Sequence, residues 1–290
     1  MRHRKYIELH CSTAQANIYR AGGMYSSVHD LTAIGRSILT CSLIKPVLTR
    51  RWMKPRGFVS DILNAVGAPW EIIRLQTSPN GRVVDLYTKS GDLPGYASLF
   101  ILIPDYDLGW SVLAAGDNTD LDCIQISNMI TDTLLPAVEA AAREEADATY
   151  SGTYASSDKI FNSSIVINTD ASKPGLGVIS WISNGTNLLT PTIVDPSVRL
   201  YPSGLENVLN NGDKVVGYRA VFENPADTLI GGAFTTACQS WVTVDAEYWG
   251  EVGIDEFAIT VGSDGVAKSV SPRALRVDLQ RVVGTKKRRE

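Results

Sequence analysis

Metal-binding and cross-linking side chains are scarce in this sequence: it has three histidines and four cysteines among 290 residues. Cys11, Cys41, Cys123 and Cys238 stand far apart, and no pair has the short spacing of a zinc-binding loop. A structural zinc site is therefore not expected, and nothing in the chain implies an organic cofactor. The even cysteine count permits disulfides without requiring them. A strong charge of either sign is also lacking. The formal net charge is -4, which leaves no electrostatic footprint for nucleic acid. Basic residues do cluster at Arg2, Arg4 and Lys5 and at Lys286, Lys287, Arg288 and Arg289, but both clusters are terminal and read as solvated tails. No apolar run approaches the roughly 18 residues of a membrane span. The opening MRHRKYIELH is not followed by the apolar stretch of about 7–15 residues that a secretory leader needs. The expectation is a soluble chain with no membrane span and no leader of its own.

What is present is the composition of an ordinary globular protein, 44% apolar and 20% charged, long enough for one large core or two moderate ones. Ser27-Val28-His29-Asp30 has the form of a helix-capping box with Asp in place of Glu. Val28, Leu31, Ile34, Gly35, Ile38 and Leu39 then recur at helical spacing and predict a helix over about 28–40. Gly22-Gly23 before it suggests a tight turn. Pro46, Pro55 and Pro69 divide the next stretch, which reads as loops and short turns around Trp52 and Trp70.

From Val83 the period changes. Val83 to Tyr87 is an apolar strand leading into Lys89-Ser90-Gly91, which sits at the start of a connection through Pro94-Gly95. Leu99 to Ile103 and Leu108 to Ala115 predict two more strands around a turn at Pro104 to Asp107. Ile126, Met129, Ile130, Thr133, Leu134, Leu135 and Val138 set one face of a helix of about 20 residues ending near Glu145. A helix packed on antiparallel strands makes this part α+β.

Asp147 to Tyr150 is the candidate boundary. Beyond it come short β-rich runs separated by Gly, Asn, Asp and Pro: Ser164 to Asn168, Leu176 to Ile182, Lys214 to Glu223, Gln239 to Tyr248, Glu256 to Val261 and Leu275 to Val283. They predict an all-β sandwich or barrel. The expected division is residues 1–146, a β-rich domain at 147–284, and a basic tail at 285–290.

An ordered set of segments carries a specific resemblance. Ala21-Gly22-Gly23-Met24-Tyr25-Ser26-Ser27 with Asp30-Leu31, then Trp52-Met53-Lys54-Pro55, then Lys89-Ser90-Gly91-Asp92-Leu93-Pro94-Gly95-Tyr96, and finally Tyr150-Ser151-Gly152-Thr153-Tyr154, follow one another along the chain. The set resembles the class C β-lactamase, D-alanyl-D-alanine peptidase and esterase superfamily of serine hydrolases, in a fungal-type branch with an added C-terminal β domain. The resemblance implies that residues 1–146 are the C-terminal part of a beta-lactamase/transpeptidase-like domain. It also implies that Lys89, Ser90 and Gly91 lie on the strand edging the active site. Lys89 would act as a point charge toward substrate, Ser90 as a hydroxyl donor, and Gly91 as a position of close approach. The backbone N–H of Asp92 aligns with one half of the oxyanion hole. Tyr96 and Ser98 would line the cleft, with Tyr96 equally readable as a packed aromatic. Taken without the resemblance, Lys89 is a surface lysine and Ser90-Gly91 is turn chemistry. His29 reads as a surface residue in the first turn of its helix.

The nucleophilic half is not found. Acyl transfer needs a serine activated by an adjacent base, which the family supplies as Ser-x-x-Lys with a Tyr-x-Asn or equivalent middle element. Ser42-Leu43-Ile44-Lys45 comes after the Gly-Gly helix and is followed at once by Pro46, while Ser156-Ser157-Asp158-Lys159 falls at the opening of the β domain. None of the eleven tyrosines begins a Tyr-x-Asn. The chain is therefore expected to be a remnant or fragment of a serine hydrolase, inactive as it stands, with a missing N-terminal half. The intact relative would take a small-molecule or peptide substrate, and any leader would lie in the missing part. The alternative is a non-catalytic binding or interaction module.

Overall fold

The computed structural model describes residues 25–77, 82–171, 173–224 and 241–282. The chain divides into two compact units, Met1–Leu75 with Val83–Thr133 and Gln76–Arg82 with Leu134–Glu290. The Gly22-Gly23 turn and both basic clusters lie outside the described residues.

The first unit begins with helix α1, Val28–Leu39. Its cap is the one the sequence predicts: the Asp30 N–H donates to Ser27 Oγ at 3.1 Å, and that hydroxyl donates to Asp30 Oδ2 at 2.9 Å. Gly35 is the buried position of α1. A Cβ there would stand 3.3 Å from Leu102 and 3.4 Å from Phe100, so glycine is what lets the helix lie close to the sheet.

Helix α2, Pro46–Trp52, and three strands, β1 (Gly57–Phe58), β2 (Asn64–Val66) and β3 (Glu71–Gln76), occupy the stretch expected to be loops. Pro46 starts α2 instead of ending a helix, because the first turn has no intrahelical partner for the N–H that proline lacks. Ser42 and Lys45 precede α2 in non-helical backbone, so they do not present a Ser-x-x-Lys face. Strands β4 (Val83–Leu93), β5 (Tyr96–Ile103) and β6 (Leu108–Ala115) complete a six-stranded sheet in sequence order. The Lys89-Ser90-Gly91 triplet is strand, not turn: β4 runs on through it, and the reversal falls at Pro94-Gly95, with Gly95 at φ 83°.

The β5 alternation separates two apolar faces. Phe100 and Leu102 join a cluster with Trp70, Ile72, Met53, Ile38 and Tyr87, in which Trp52 Nε1 donates to Ala68 O at 2.7 Å. Ala97 and Leu99 pack on the opposite face against Val112, Cys123 and Ile130. Cys123 comes from helix α3, Thr119–Tyr150. At 32 residues α3 is longer than the helix of about 20 that the apolar face predicts, and it contains Pro136. Its polar first turn with Asp120 and Asp122 and its Ala- and Glu-rich end extend it beyond the amphipathic stretch.

Beyond the Leu134–Tyr150 part of α3, the second unit is built mainly of strands. Its strands are β7 (Gly152–Ala155), β8 (Ser164–Asp170), β9 (Lys173–Ser183), β10 (Thr186–Asn187), β11 (Ser197–Val208), β12 (Lys214–Glu223), β13 (Tyr248–Trp249), β14 (Val252–Gly253), β15 (Glu256–Val261), β16 (Ala267–Pro272) and β17 (Leu279–Arg281). Nine of them form one sheet in the order β10-β9-β11-β12-β15-β16-β17-β7-β8, in which β8 also pairs with β9. That extra pairing leaves the strands between them a neighbour on both sides. Tyr154, Ile165, Leu200, Phe257, Ile259 and Leu279 fill the interior. The expected strand at Gln239 to Tyr248 is not found: its described part is a 3-10 turn at Trp241–Thr243 and the start of β13. The expected run at Leu275 to Val283 holds only the three-residue β17.

Arg281 ties the end of α3 to this sheet. Its guanidinium donates to Thr149 O at 3.2 Å, Ala267 O at 3.1 Å and Tyr154 Oη at 2.9 Å, and also to Ser151 O. The last carbonyls of a helix lack intrahelical donors, so a fixed guanidinium there satisfies groups that would otherwise be stranded. Replacing Arg281 with Met should lower the stability of the β unit by about 2 kcal/mol. Urea unfolding followed by tryptophan fluorescence checks this; an unchanged midpoint would show the clasp to be dispensable.

Candidate functional site

Lys89 and Ser90 meet a third residue that sequence reasoning did not single out. Glu71 opens β3, and its backbone carbonyl accepts Thr88 Oγ1 at 2.7 Å. Arg74 Nε donates to Asp85 Oδ1 at 3.1 Å further along. These two contacts place β3 beside β4 with Glu71 next to Thr88, so β4 projects past the start of β3 from Lys89 to Leu93. A projecting strand edge carries backbone donors and acceptors with no neighbouring strand to receive them.

The Glu71 side chain turns onto that edge. Its Oε2 accepts the Ser90 backbone N–H at 3.0 Å and the Ser90 hydroxyl at 2.8 Å, while Oε1 accepts the Lys89 ammonium. Lys89 Nζ also donates to Ser90 O at 2.9 Å. One carboxylate therefore receives a charge, a hydroxyl and an amide from two consecutive residues. Partial burial pushes the Glu71 carboxyl up, but the bonds from Lys89 and Ser90 outweigh it and hold the group below its ordinary value.

That shift bears on Ser90. A carboxylate held down by an ammonium is a weak proton acceptor, so Glu71 does not activate the Ser90 hydroxyl as a nucleophile. Tyr87 lies two residues before Lys89 on the same side of β4. Burial, then the charges of Asp85 and Asp105, push its phenol up to about 12, so it is a neutral group at physiological pH and no base.

Strand alternation places the Asp92 N–H on the same edge as that of Ser90, two residues along. Ser90 faces Leu99 and Asp92 faces Ala97 across β5 in unbroken register. Gly91 pairs with Ser98, and a Cβ on Gly91 would come within 2.8 Å of Ser98 Oγ. What crowds Gly91 is thus a neighbouring hydroxyl of the chain itself. Tyr96 is half-exposed and pairs with Leu93 at the hairpin end. It lies four residues along the ladder from Lys89, roughly 13 Å at strand rise, and two from Gly91. His29 is an exposed residue of α1, with 92% of its side chain accessible.

Residues 142–283 match the family model described as "Beta-lactamase-like-like, C-terminal domain". Residues 142–283 thus carry the C-terminal domain of the beta-lactamase-like family. The "Beta-lactamase-like protein" of Arthroderma benhamiae is 30% identical over 279 residues, covering 84% of this chain and 46% of that protein. The "Probable hydrolase clz13" of Cochliobolus lunatus is 32% identical over 174 residues, 58% of this chain and 27% of that protein. "Putative beta-lactamase-like 1" of Homo sapiens is 33% identical over 132 residues, 43% of this chain and 25% of that protein. The chain thus spans less than half the length of each of these relatives. Among its described residues no helix is long and apolar enough to cross a membrane, and no group of three or more His, Cys, Asp or Glu is placed to hold a metal ion.

The lowered Glu71 carboxyl gives a pH signature. Its contribution to stability is present in full above its ordinary value of 4.5 and is lost as pH falls through the depressed value. The pair is half-exposed, so solvent screening keeps the effect to about 1 kcal/mol or less. Urea midpoints of the native chain and E71Q should differ at pH 7 and converge in acid. A constant difference across pH would mean that Glu71 is not ionised on this edge.

Proposed function

We propose that this chain supplies the substrate-side wall of a serine acyl-transfer hydrolase acting on an amide, lactam or ester, and that the nucleophile comes from outside these 290 residues. The observation that carries the reading is the projecting edge of β4, where the Lys89 ammonium and the Ser90 hydroxyl and N–H converge on one carboxylate. In this reading the Asp92 N–H, next along the same edge, donates to the oxyanion that forms as the acyl carbon becomes tetrahedral. Such a donor acts on charge absent from the ground state, and losing one costs about 3 kcal/mol of barrier lowering. Lys89 neutralises the Glu71 carboxylate beside that site, so the forming oxyanion meets no net negative charge, and Tyr96 stands at the far end of the wall. The similarity to the "Beta-lactamase-like protein" of Arthroderma benhamiae and the "Probable hydrolase clz13" of Cochliobolus lunatus supports the chemical class.

By itself the chain is catalytically silent, because the wall has donors but no activated serine. A non-catalytic binding module is the second reading, favoured by Ser42 and Lys45 standing in non-helical backbone, where they form no nucleophile–base pair.

The two readings separate in one experiment. The 290-residue chain is assayed with a p-nitrophenyl ester alone and after refolding with a segment of a relative bearing Ser-x-x-Lys and Tyr-x-Asn. The hydrolase wall predicts no turnover alone, turnover in the mixture, and a lower rate in the mixture when Lys89 is replaced by Met. A folded mixture without turnover leaves the module standing. Turnover by the chain alone, abolished by a serine-acylating probe, would overturn the division of labour.

A further inference from the structure

This inference rests on the hydrolase-wall reading and concerns what that wall accepts. The backbone of Lys89 and Ser90 is held from the β5 side, where Lys89 faces Phe100 and Ser90 faces Leu99 in continuous register. The Ser90 N–H therefore does not need Glu71 to stay in place, and Lys89 Nζ keeps its bond to Ser90 O. Glu71 in turn has its backbone fixed by Thr88, while 46% of its side chain is accessible. An ammonium, a hydroxyl and an oriented N–H aimed at one point form a carboxylate site by their own chemistry, whatever molecule brings the carboxylate.

We propose that Glu71 is a specificity residue: its carboxylate is the built-in occupant of an anion site on β4, and it turns away substrates bearing a carboxylate beside the reacting acyl group. A competing carboxylate must displace one tethered at an effective concentration of mM or more. If it binds alongside instead, it sets two negative charges together. An uncharged ester or amide meets neither obstacle, since it draws on the Asp92 N–H and leaves the Ser90 donors to Glu71. The wall is thus built for neutral acyl substrates.

The test uses the full chain with benzoylglycine and benzoylglycinamide as probes, read by amide proton and nitrogen shifts. E71A should bind benzoylglycine at least ~10-fold more tightly than the native chain, about 1.4 kcal/mol, with the largest shifts at Ser90. Its affinity for the amide should be unchanged. Equal affinity of both chains for benzoylglycine, or an equal gain for the amide, would overturn the proposal. A measurement on the native chain does not depend on the variant folding: zero-length carbodiimide coupling should join Lys89 to Glu71, found by peptide mass. Coupling of other exposed acid–lysine pairs without this one would equally overturn it. Loss of ester turnover in the reconstituted mixture would sink the hydrolase wall alone and leave the anion-site result standing.

Discussion

The contact between the Glu71 carboxylate and the donors of Lys89 and Ser90 organises the first unit's candidate site. It exists because β3 is shorter than β4. Where β3 starts, β4 loses its neighbour, and its outward N–H groups need either water or a side chain. Glu71 is the first residue of β3, so its backbone already sits at that point. The carboxylate continues the ladder in place of a strand. It also neutralises the Lys89 ammonium, so an edge that would attract anions presents a paired charge instead.

The sheet behind that edge explains why the donors hold still. Trp70, Ile72 and Leu102 are almost wholly buried on one side, with the Trp52 and Trp70 rings 5.0 Å apart and tilted at 54°. Ala97 and Val112 are buried on the other against Cys123. Strand β4 is therefore anchored by packing at its Val83 end and by the β5 ladder at its Leu93 end. Positioning by a rigid element is what an acyl-transfer wall requires, because a donor must meet charge at the moment it forms.

Much of this architecture was legible from residue patterns. The capping box at Ser27, the hairpin around Pro104 to Asp107 and the β run at Glu256 to Val261 all announce themselves by local chemistry, and the structure places each where the pattern does. The misreadings have physical causes. Pro46 looks like a breaker but sits in the one helical turn that tolerates it. The triplet at Lys89 looks like a turn because Ser and Gly are common in turns, yet cross-strand pairing with Leu99 and Ser98 keeps it extended. Strand β11, whose end is polar and exposed, has too weak an alternation to be seen. Glu71 gave no signal at all: it is one acidic residue in an apolar run, and its partners lie 18 and 19 positions away. Only the fold brings them together. An acidic residue at the start of a strand that neighbours a Lys-Ser-Gly strand is the pattern that would have found it.

The most direct measurement is amide hydrogen exchange at two residues of β4 in the native chain. If Glu71 continues the ladder, the Ser90 N–H is protected while the Asp92 N–H, on the same edge beyond the carboxylate's reach, exchanges fast. Equal, rapid exchange at both positions would show that the edge is open to water and that Glu71 does not occupy it.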